Sequence, residues 1–150
     1  MNLLRLVPVA AVLLVGGCGG SSSSSSSSST GSSAPATTTA APAAGTIAGT
    51  LNEWSVGVSA ASAPAGKVTF DVANRGKVTH EFVVLRTSKS ADKLGAGSRI
   101  GESGNVGETG DIAAGESKSV TIALKPGHYS LVCNLPGHYM SGMHTDFTVQ

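Results

Sequence analysis

The stretch GKVTFDVAN, residues 66–74, decides the fold class of this chain. Its apolar residues Val68, Phe70 and Val72 alternate with polar ones, and this period of two is typical of a strand with one buried face. Such a strand has to bury its apolar face against another layer of structure. The stretch therefore predicts β structure, and the runs on either side of it indicate which kind.

Five further runs carry short apolar patterns and predict further strands. In HEFVVLR, Phe82 and Val84 lie on one face and Val83 and Leu85 on the other, which predicts a strand covered on both sides. The remaining predicted strands carry Trp54, Val56 and Val58; Val120, Ile122 and Leu124; Tyr129, Leu131 and Cys133; and Phe147 and Val149. Turn signals rich in Gly, Pro and Asn separate these runs. Short strands punctuated in this way predict an all-β, antiparallel sandwich.

Residues 88–112 interrupt this pattern. They are rich in Gly and polar residues, and only Leu94, Ile100, Val106 and Ile112 are available to anchor them. We expect a long loop here, with room for one short helical turn.

The first third of the chain differs from the rest. Residues 1–17 carry Arg5 and then an apolar run that ends in small residues, which is the layout of an export signal. The run ends in VGGC, which resembles a bacterial lipobox with Cys18 as the lipidated residue; the alternative is an ordinary signal peptide with an incidental cysteine. Residues 18–45 are rich in Ser, Ala, Pro and Thr and have too little apolar surface to fold. We therefore expect a lipoprotein on the outside of the cell membrane or in the periplasm, with a tether followed by a domain at 46–150.

The predicted domain is close to neutral. It holds nine Lys and Arg residues, the ten of the chain less Arg5, against nine Asp and Glu. Because nothing in this balance suits a polyanion, nucleic acid is not expected as a partner. Cys133 is the only cysteine after Cys18, so a disulfide within the domain is excluded. A lone thiol in an oxidising compartment is a liability unless it has a use.

The stretch CNLPGHYMSGMH, residues 133–144, indicates that use. Thiolate and imidazole suit zinc and copper, whereas the thioether of methionine favours copper. A structural zinc site usually takes several cysteines, which this domain lacks. One cysteine, two histidines and a distant axial methionine form the blue-copper arrangement. Cys133, His138 and Met143 supply three of these groups, and His80 at the start of HEFVVLR supplies the second histidine.

The pattern His80, Cys133-x4-His138-x4-Met143 resembles the type 1 copper site of the cupredoxin family. The stretches PGHYSLVC and GKVTFDVANRGKVTHEFVV resemble the strands that lead into the copper loop and deliver the first histidine in that family. The resemblance runs over nearly all of 48–150, and the loop spacing is closest to that of rusticyanin and sulfocyanin. It implies a Greek-key β-sandwich that binds one type 1 copper ion through these four residues.

Some neighbouring residues leave questions open. Met140 competes with Met143 for the axial position, and the family spacing favours Met143. Glu81 follows the first histidine at a position where plastocyanin and azurin have an asparagine that hydrogen-bonds to the copper loop, so the resemblance leaves this bond in doubt. His128 and His144 are not expected to be ligands.

The resemblance implies a carrier of single electrons rather than an enzyme. Electrons would pass at the edge of His138, within a partner-docking patch of Leu135, Pro136, Tyr139 and Met140. We expect a monomer that docks transiently with redox proteins and is held at the membrane by its lipid. One alternative is a copper-binding module for storage, delivery or sensing, and another is a metal-free sandwich with an adhesive or structural role.

Overall fold

The computed structural model describes residues 43–150. The predicted export signal at 1–17, the predicted lipidation site Cys18 and residues 18–42 of the predicted tether lie outside the described residues. Within the described part of the chain, no helix has the length and apolar character needed to cross a membrane.

The described residues form nine strands and one short 3-10 turn. In chain order these are β1 (Ala43–Asn52), β2 (Ser55–Val58), β3 (Ser62–Ala63), β4 (Gly66–Asn74), β5 (His80–Arg86), the turn Ala91–Lys93, β6 (Asn105–Ile112), β7 (Ser117–Leu124), β8 (Gly127–Val132) and β9 (His144–Val149). One sheet has the strand order β2-β1-β4-β7, and the other has the order β3-β9-β8-β5-β6.

Both sheets are mixed rather than purely antiparallel. β1 pairs with β4 in parallel, and β3 pairs with β9 in parallel. The other strand pairings are antiparallel. The chain crosses to the second sheet at β3 before it returns, so β4 enters beside β1 in the same direction instead of as a hairpin partner. The predicted β-sandwich is therefore confirmed, but the expectation of antiparallel pairing throughout is wrong for these two pairs.

The core between the sheets contains the residues that the period of two singles out. Val68, Phe70 and Val72 of β4 are fully buried. The ring of Phe70 lies 5.3 Å from that of Phe82 and 5.4 Å from that of Phe147, measured between centroids. Aromatic pairs at this separation add to the stability that burial itself provides. The two sheets are thus joined through aromatic contacts at their centre.

Strand β5 is covered on both faces, as predicted. Phe82 and Val84 point into the core between the sheets, whereas Val83 and Leu85 belong to a second, smaller apolar cluster. That cluster also contains Ile100, Val132 and Tyr139, and Leu94 packs against it. The segment after β5 therefore acts as a cover over the outer face of the strand that begins with His80.

The predicted loop over 88–112 is wrong at its C-terminal end. The short turn at Ala91–Lys93 agrees with the expectation, but β6 pairs with β5 as an edge strand of its sheet. Only Ile112 of β6 is buried, so the sequence shows no alternation of apolar residues. Packing explains why residue 107 is a glycine, since a Cβ atom there would lie 2.6 Å from Cδ1 of Ile122 in the opposite sheet. Backbone pairing, not apolar burial, makes this stretch a strand.

The N-terminal part of the fold also departs from the expectation. β1 begins at Ala43, three residues before the predicted domain boundary, and carries Ile47 and Leu51 as its large buried residues. Small residues between them hide the strand pattern. Trp54, predicted to lie in an early strand with Val56, instead precedes β2 and is 46% exposed.

Candidate metal centre

The strand order brings the predicted ligands to one end of the sandwich. His80 is the first residue of β5, and Cys133 directly follows β8, the strand next to β5 in the sheet. Met143 directly precedes β9, which pairs with the other edge of β8. His138 lies in the loop that joins β8 to β9. Three adjacent strands of one sheet therefore fix the surroundings of all four residues.

Three donor atoms of this group lie within 4.8 Å of one another. Nδ1 of His138 is 3.2 Å from Nδ1 of His80 and 3.3 Å from Sγ of Cys133. Nδ1 of His80 is 3.9 Å from the same sulfur. His80 and Cys133 are fully buried, whereas His138 is partly exposed. The three donors therefore already converge on one small volume.

The loop between β8 and β9 returns Met143 to Cys133. The N–H of Cys133 donates to the carbonyl oxygen of Met143 at 3.0 Å. The N–H of Met143 donates in turn to the carbonyl oxygen of His138 at 3.2 Å. Met143 is fully buried in the same core cluster as Cys133. Met140 is 55% exposed, so its position favours Met143 as the axial group.

Burial favours the neutral forms of the Cys133 thiol and of the partly exposed His138 imidazole. It raises the pKa of the Cys133 thiol, although the N–H of Glu81, 3.4 Å from Sγ, opposes the shift. Burial also lowers the pKa of His138, and the neighbouring His80 lowers it further. A neutral imidazole is ready to bind a metal, whereas the thiol has to release its proton first.

Glu81 makes the hydrogen bond to the loop that the sequence left in doubt. Its Oε1 accepts a hydrogen bond from the N–H of Asn134 at 3.0 Å, directly after Cys133. Arg99 lies beside the same oxygen at 3.9 Å. Burial raises the pKa of the Glu81 carboxyl, while Arg99 and the Asn134 N–H act against that rise. The carboxylate thus takes over the place of an amide in holding β5 to the loop.

The donor set fits copper better than the other metals considered. A buried thiolate sulfur, two imidazole nitrogens and a buried thioether together suit copper, whose soft character tolerates both sulfur ligands. The chain also matches the family described as "Cupredoxin-like domain" over residues 26–146, more than half of its length. The chain belongs to the cupredoxin family.

Solved structures of other cupredoxins share the fold. Dithionite-reduced auracyanin from the photosynthetic bacterium Roseiflexus castenholzii is 22% identical with a TM-score of 0.53, over 73% of this chain and 98% of its own. Auracyanin B is 27% identical with a TM-score of 0.54, over 71% and 89%. The copper protein rusticyanin from Thiobacillus ferrooxidans is 18% identical with a TM-score of 0.58, over 71% and 78%. No curated protein sequence matches the chain.

Two residues of this cupredoxin lie beside the site without having been predicted there. Both come from the turn between β1 and β2. Oε1 of Glu53 is 3.3 Å from Nε2 of His80. The indole of Trp54 meets the ring of His138 edge-on at 5.0 Å and that of His80 at 6.3 Å. Trp54 is the only tryptophan in the chain. Trp54 could have been singled out only as the sole tryptophan of the chain, and nothing in the sequence marked Glu53.

The predicted docking patch is only partly at the surface. Pro136 and Met140 are exposed and Leu135 is partly buried, but Tyr139 is 3% exposed. The hydroxyl of Tyr139 donates to the carbonyl oxygen of Ala91 at 2.7 Å and accepts from the N–H of Leu94 at 3.0 Å. Tyr139 is therefore a structural residue that ties the loop to the segment after β5, and its assignment to an exposed patch is wrong.

The two histidines that were not expected to be ligands lie outside the donor group. His128 contacts the carbonyl oxygen of Thr87 through Nδ1 and Asp146 through Nε2, at 2.8 and 2.9 Å. His144 begins β9, and its ring lies 5.0 Å from that of Tyr139. Neither belongs to the set of converging donor atoms in the described part of the chain.

Proposed function

We propose that this cupredoxin binds one copper ion through His80, Cys133, His138 and Met143 and carries single electrons between redox proteins. The observation that carries the proposal is the convergence of three donor atoms within 4.8 Å at the end of a packed sandwich. When bound, copper supplies the change between Cu(II) and Cu(I). The protein supplies a donor set held by three paired strands.

Burial of the donors favours electron transfer over conversion of a substrate. His80, Cys133 and Met143 are fully buried, so a substrate has no direct access to them. His138 is the partly exposed member of the set, and it offers the shortest route between the site and a partner. These features support a carrier that exchanges electrons without opening its site.

The surface around His138 supports transient docking with a partner protein. Trp54, Pro136 and Met140 are exposed, and Trp54 touches the ring of His138. Exposed aromatic and methionine side chains are enriched at protein interfaces. The near-neutral domain argues for an apolar contact of modest size rather than strong charge steering. We therefore place the partner-docking patch at Trp54, Pro136 and Met140, whereas Leu135 is partly buried.

The proposal includes anchoring outside the cytoplasm. Lipidation at Cys18 and the tether that precedes β1 would hold the domain near membrane redox partners and raise its effective concentration there. Fractionation of cells that produce the wild-type chain and Cys18→Ser tests this step. The wild-type chain should sediment with membranes and the variant should be released; equal partition of the two would contradict the anchor.

The copper site is tested by visible absorption of the Cu(II)-loaded protein. We expect an intense blue band that ascorbate bleaches reversibly and that Cys133→Ser abolishes. Met143→Leu should alter the band or the reduction potential, whereas the matched control Met140→Leu should leave both unchanged. Bound copper without an intense band would reject the electron-carrier proposal and favour the storage, delivery or sensing alternative. Absence of bound copper would reject both.

A further inference from the structure

The turn between β1 and β2 places a carboxylate behind the first predicted histidine ligand. Oε1 of Glu53 accepts hydrogen bonds from the N–H of Lys77 at 2.6 Å and from that of Val78 at 3.1 Å. The same oxygen lies 3.3 Å from Nε2 of His80. His80 is fully buried, and the Glu53 side chain is 27% exposed. One oxygen atom thus joins the turn, the segment before β5 and the imidazole.

Gly76 makes room for this arrangement. A Cβ atom at Gly76 would lie 2.9 Å from Nε2 of His80 and would overlap Oε1 of Glu53. Any side chain at this position would therefore displace the carboxylate or the ring. The contact between Glu53 and His80 therefore requires a glycine at position 76, although 23 positions separate Gly76 from Glu53 in the sequence.

The two nitrogens of His80 face different surroundings. Nδ1 is directed at the other donors, 3.2 Å from Nδ1 of His138 and 3.9 Å from Sγ of Cys133. Nε2 is directed at Glu53. Oε1 of Glu53 already accepts hydrogen bonds from the backbone N–H groups of Lys77 and Val78, so it faces Nε2 as a hydrogen-bond acceptor. A proton on Nε2 satisfies the carboxylate and leaves Nδ1 free.

We propose that Glu53 is the positioning residue of the copper site: it accepts the Nε2–H of His80, fixes the tautomer with a bare Nδ1, and lowers the reduction potential through its charge. The inference rests on the proposed copper site. A carboxylate behind a metal-binding histidine orients the ring and increases its basicity. Its negative charge favours Cu(II) over Cu(I), since the interaction grows with the charge of the ion.

Three variants separate these contributions. Glu53→Gln keeps an oxygen acceptor for Lys77, Val78 and His80 but removes the charge. Glu53→Ala removes both. Asp71→Asn is the matched control, because it also removes the charge of one carboxylate. Asp71 is exposed on β4, accepts a hydrogen bond from the hydroxyl of Ser119, and lies in the sheet that does not contain His80.

The first measurement uses the metal-free protein at pH 8. Proton–nitrogen NMR spectra of the wild-type chain should show the Nε2–H tautomer at His80, and Glu53→Ala should shift the population towards Nδ1–H. A dominant Nδ1–H tautomer in the wild-type chain, or an unchanged tautomer in Glu53→Ala, would overturn the positioning role. This measurement does not require copper, so its outcome is independent of the proposed function.

The second measurement is the reduction potential of the copper-loaded protein. Glu53→Gln should raise the potential by more than Asp71→Asn does, while both variants keep the blue band. Glu53→Ala should also weaken Cu(II) binding by about 10–100-fold, the usual cost of losing such a partner. Equal potentials in Glu53→Gln and Asp71→Asn would overturn the proposal even if the wild-type protein is a blue copper protein. If Glu53→Ala does not fold, the potential of Glu53→Gln decides.

Discussion

Replacing Glu81 tests whether a carboxylate holds the loop to β5. Two variants distinguish the acceptor from the charge. Glu81→Ala removes the oxygen that accepts the N–H of Asn134 at 3.0 Å. Glu81→Gln retains an oxygen at the same place without the negative charge. Both are studied in the metal-free protein, so that binding of a metal does not contribute to stability.

The expected magnitude follows from the burial of Asn134. This residue is 2% exposed, and its N–H has Glu81 as its acceptor. A buried donor left without a partner costs about 1–3 kcal/mol, so Glu81→Ala should lower the free energy of unfolding by about that amount. Glu81→Gln should stay within about 1 kcal/mol of the wild type, because the backbone donor keeps an acceptor.

The raised pKa of Glu81 determines whether the free energy of unfolding rises or falls with pH. Burial raises the pKa of Glu81 in the folded state above its ordinary value of 4.5. The folded state therefore binds the proton more tightly than the unfolded state. The resulting stabilisation is fully present below the unfolded pKa and is lost as the pH rises through the folded pKa. Relative to Glu81→Gln, the wild-type protein should lose stability as the pH rises from 4.5.

Urea unfolding of the three proteins at several pH values, followed by tryptophan fluorescence, measures both effects. Two results would refute the reasoning. One is an unfolding free energy for Glu81→Ala equal to that of the wild type. The other is a difference between wild type and Glu81→Gln that grows in favour of the wild type as the pH rises.

Further predictions concern the loop, the thiol and the indole. Asn134→Ala should lower the free energy of unfolding by about 2–4 kcal/mol in urea titrations, because the N–H and the C=O of buried Ile100 both lose their partner; an effect below about 0.5 kcal/mol would contradict this. Copper uptake at neutral pH should release one proton from Cys133, as counted by a pH indicator, and the apparent affinity should rise about tenfold per pH unit below the thiol pKa. Fluorescence of Trp54, 5.0 Å from His138, should be quenched by stoichiometric Cu(II), and an unaltered signal on binding would place the metal elsewhere.

The sequence predicts best what depends on local spacing. The alternation in β4 and the two-sided apolar pattern of β5 reflect burial that each strand imposes on its own residues. The positions of His80, Cys133, His138 and Met143 follow from their distances along the chain and from the strands that carry them. These features can be read without any knowledge of distant contacts.

Features that depend on tertiary contacts could not be predicted from the sequence. Glu53 reaches His80 across 27 positions, and nothing in its neighbourhood marks it as different from other surface acids. β6 is held by backbone pairing at a sheet edge and lacks an apolar pattern. Tyr139 lies among residues that look like a surface patch, but its hydroxyl hydrogen-bonds to two backbone groups of the segment after β5. In all three cases the deciding partner lies far away in the chain.

Strand β5 has a position that links the site to global stability. It lies between β6 and β8 and is sealed on both faces, so solvent reaches its backbone amides only through large openings of the sandwich. We therefore expect His80 at its start and Cys133 after its neighbour β8 to stay together until the domain as a whole unfolds. Slow hydrogen exchange should be shared by the amides of β5 and β8, and a metal ion arriving at the folded protein would meet donors that need no folding step to come together.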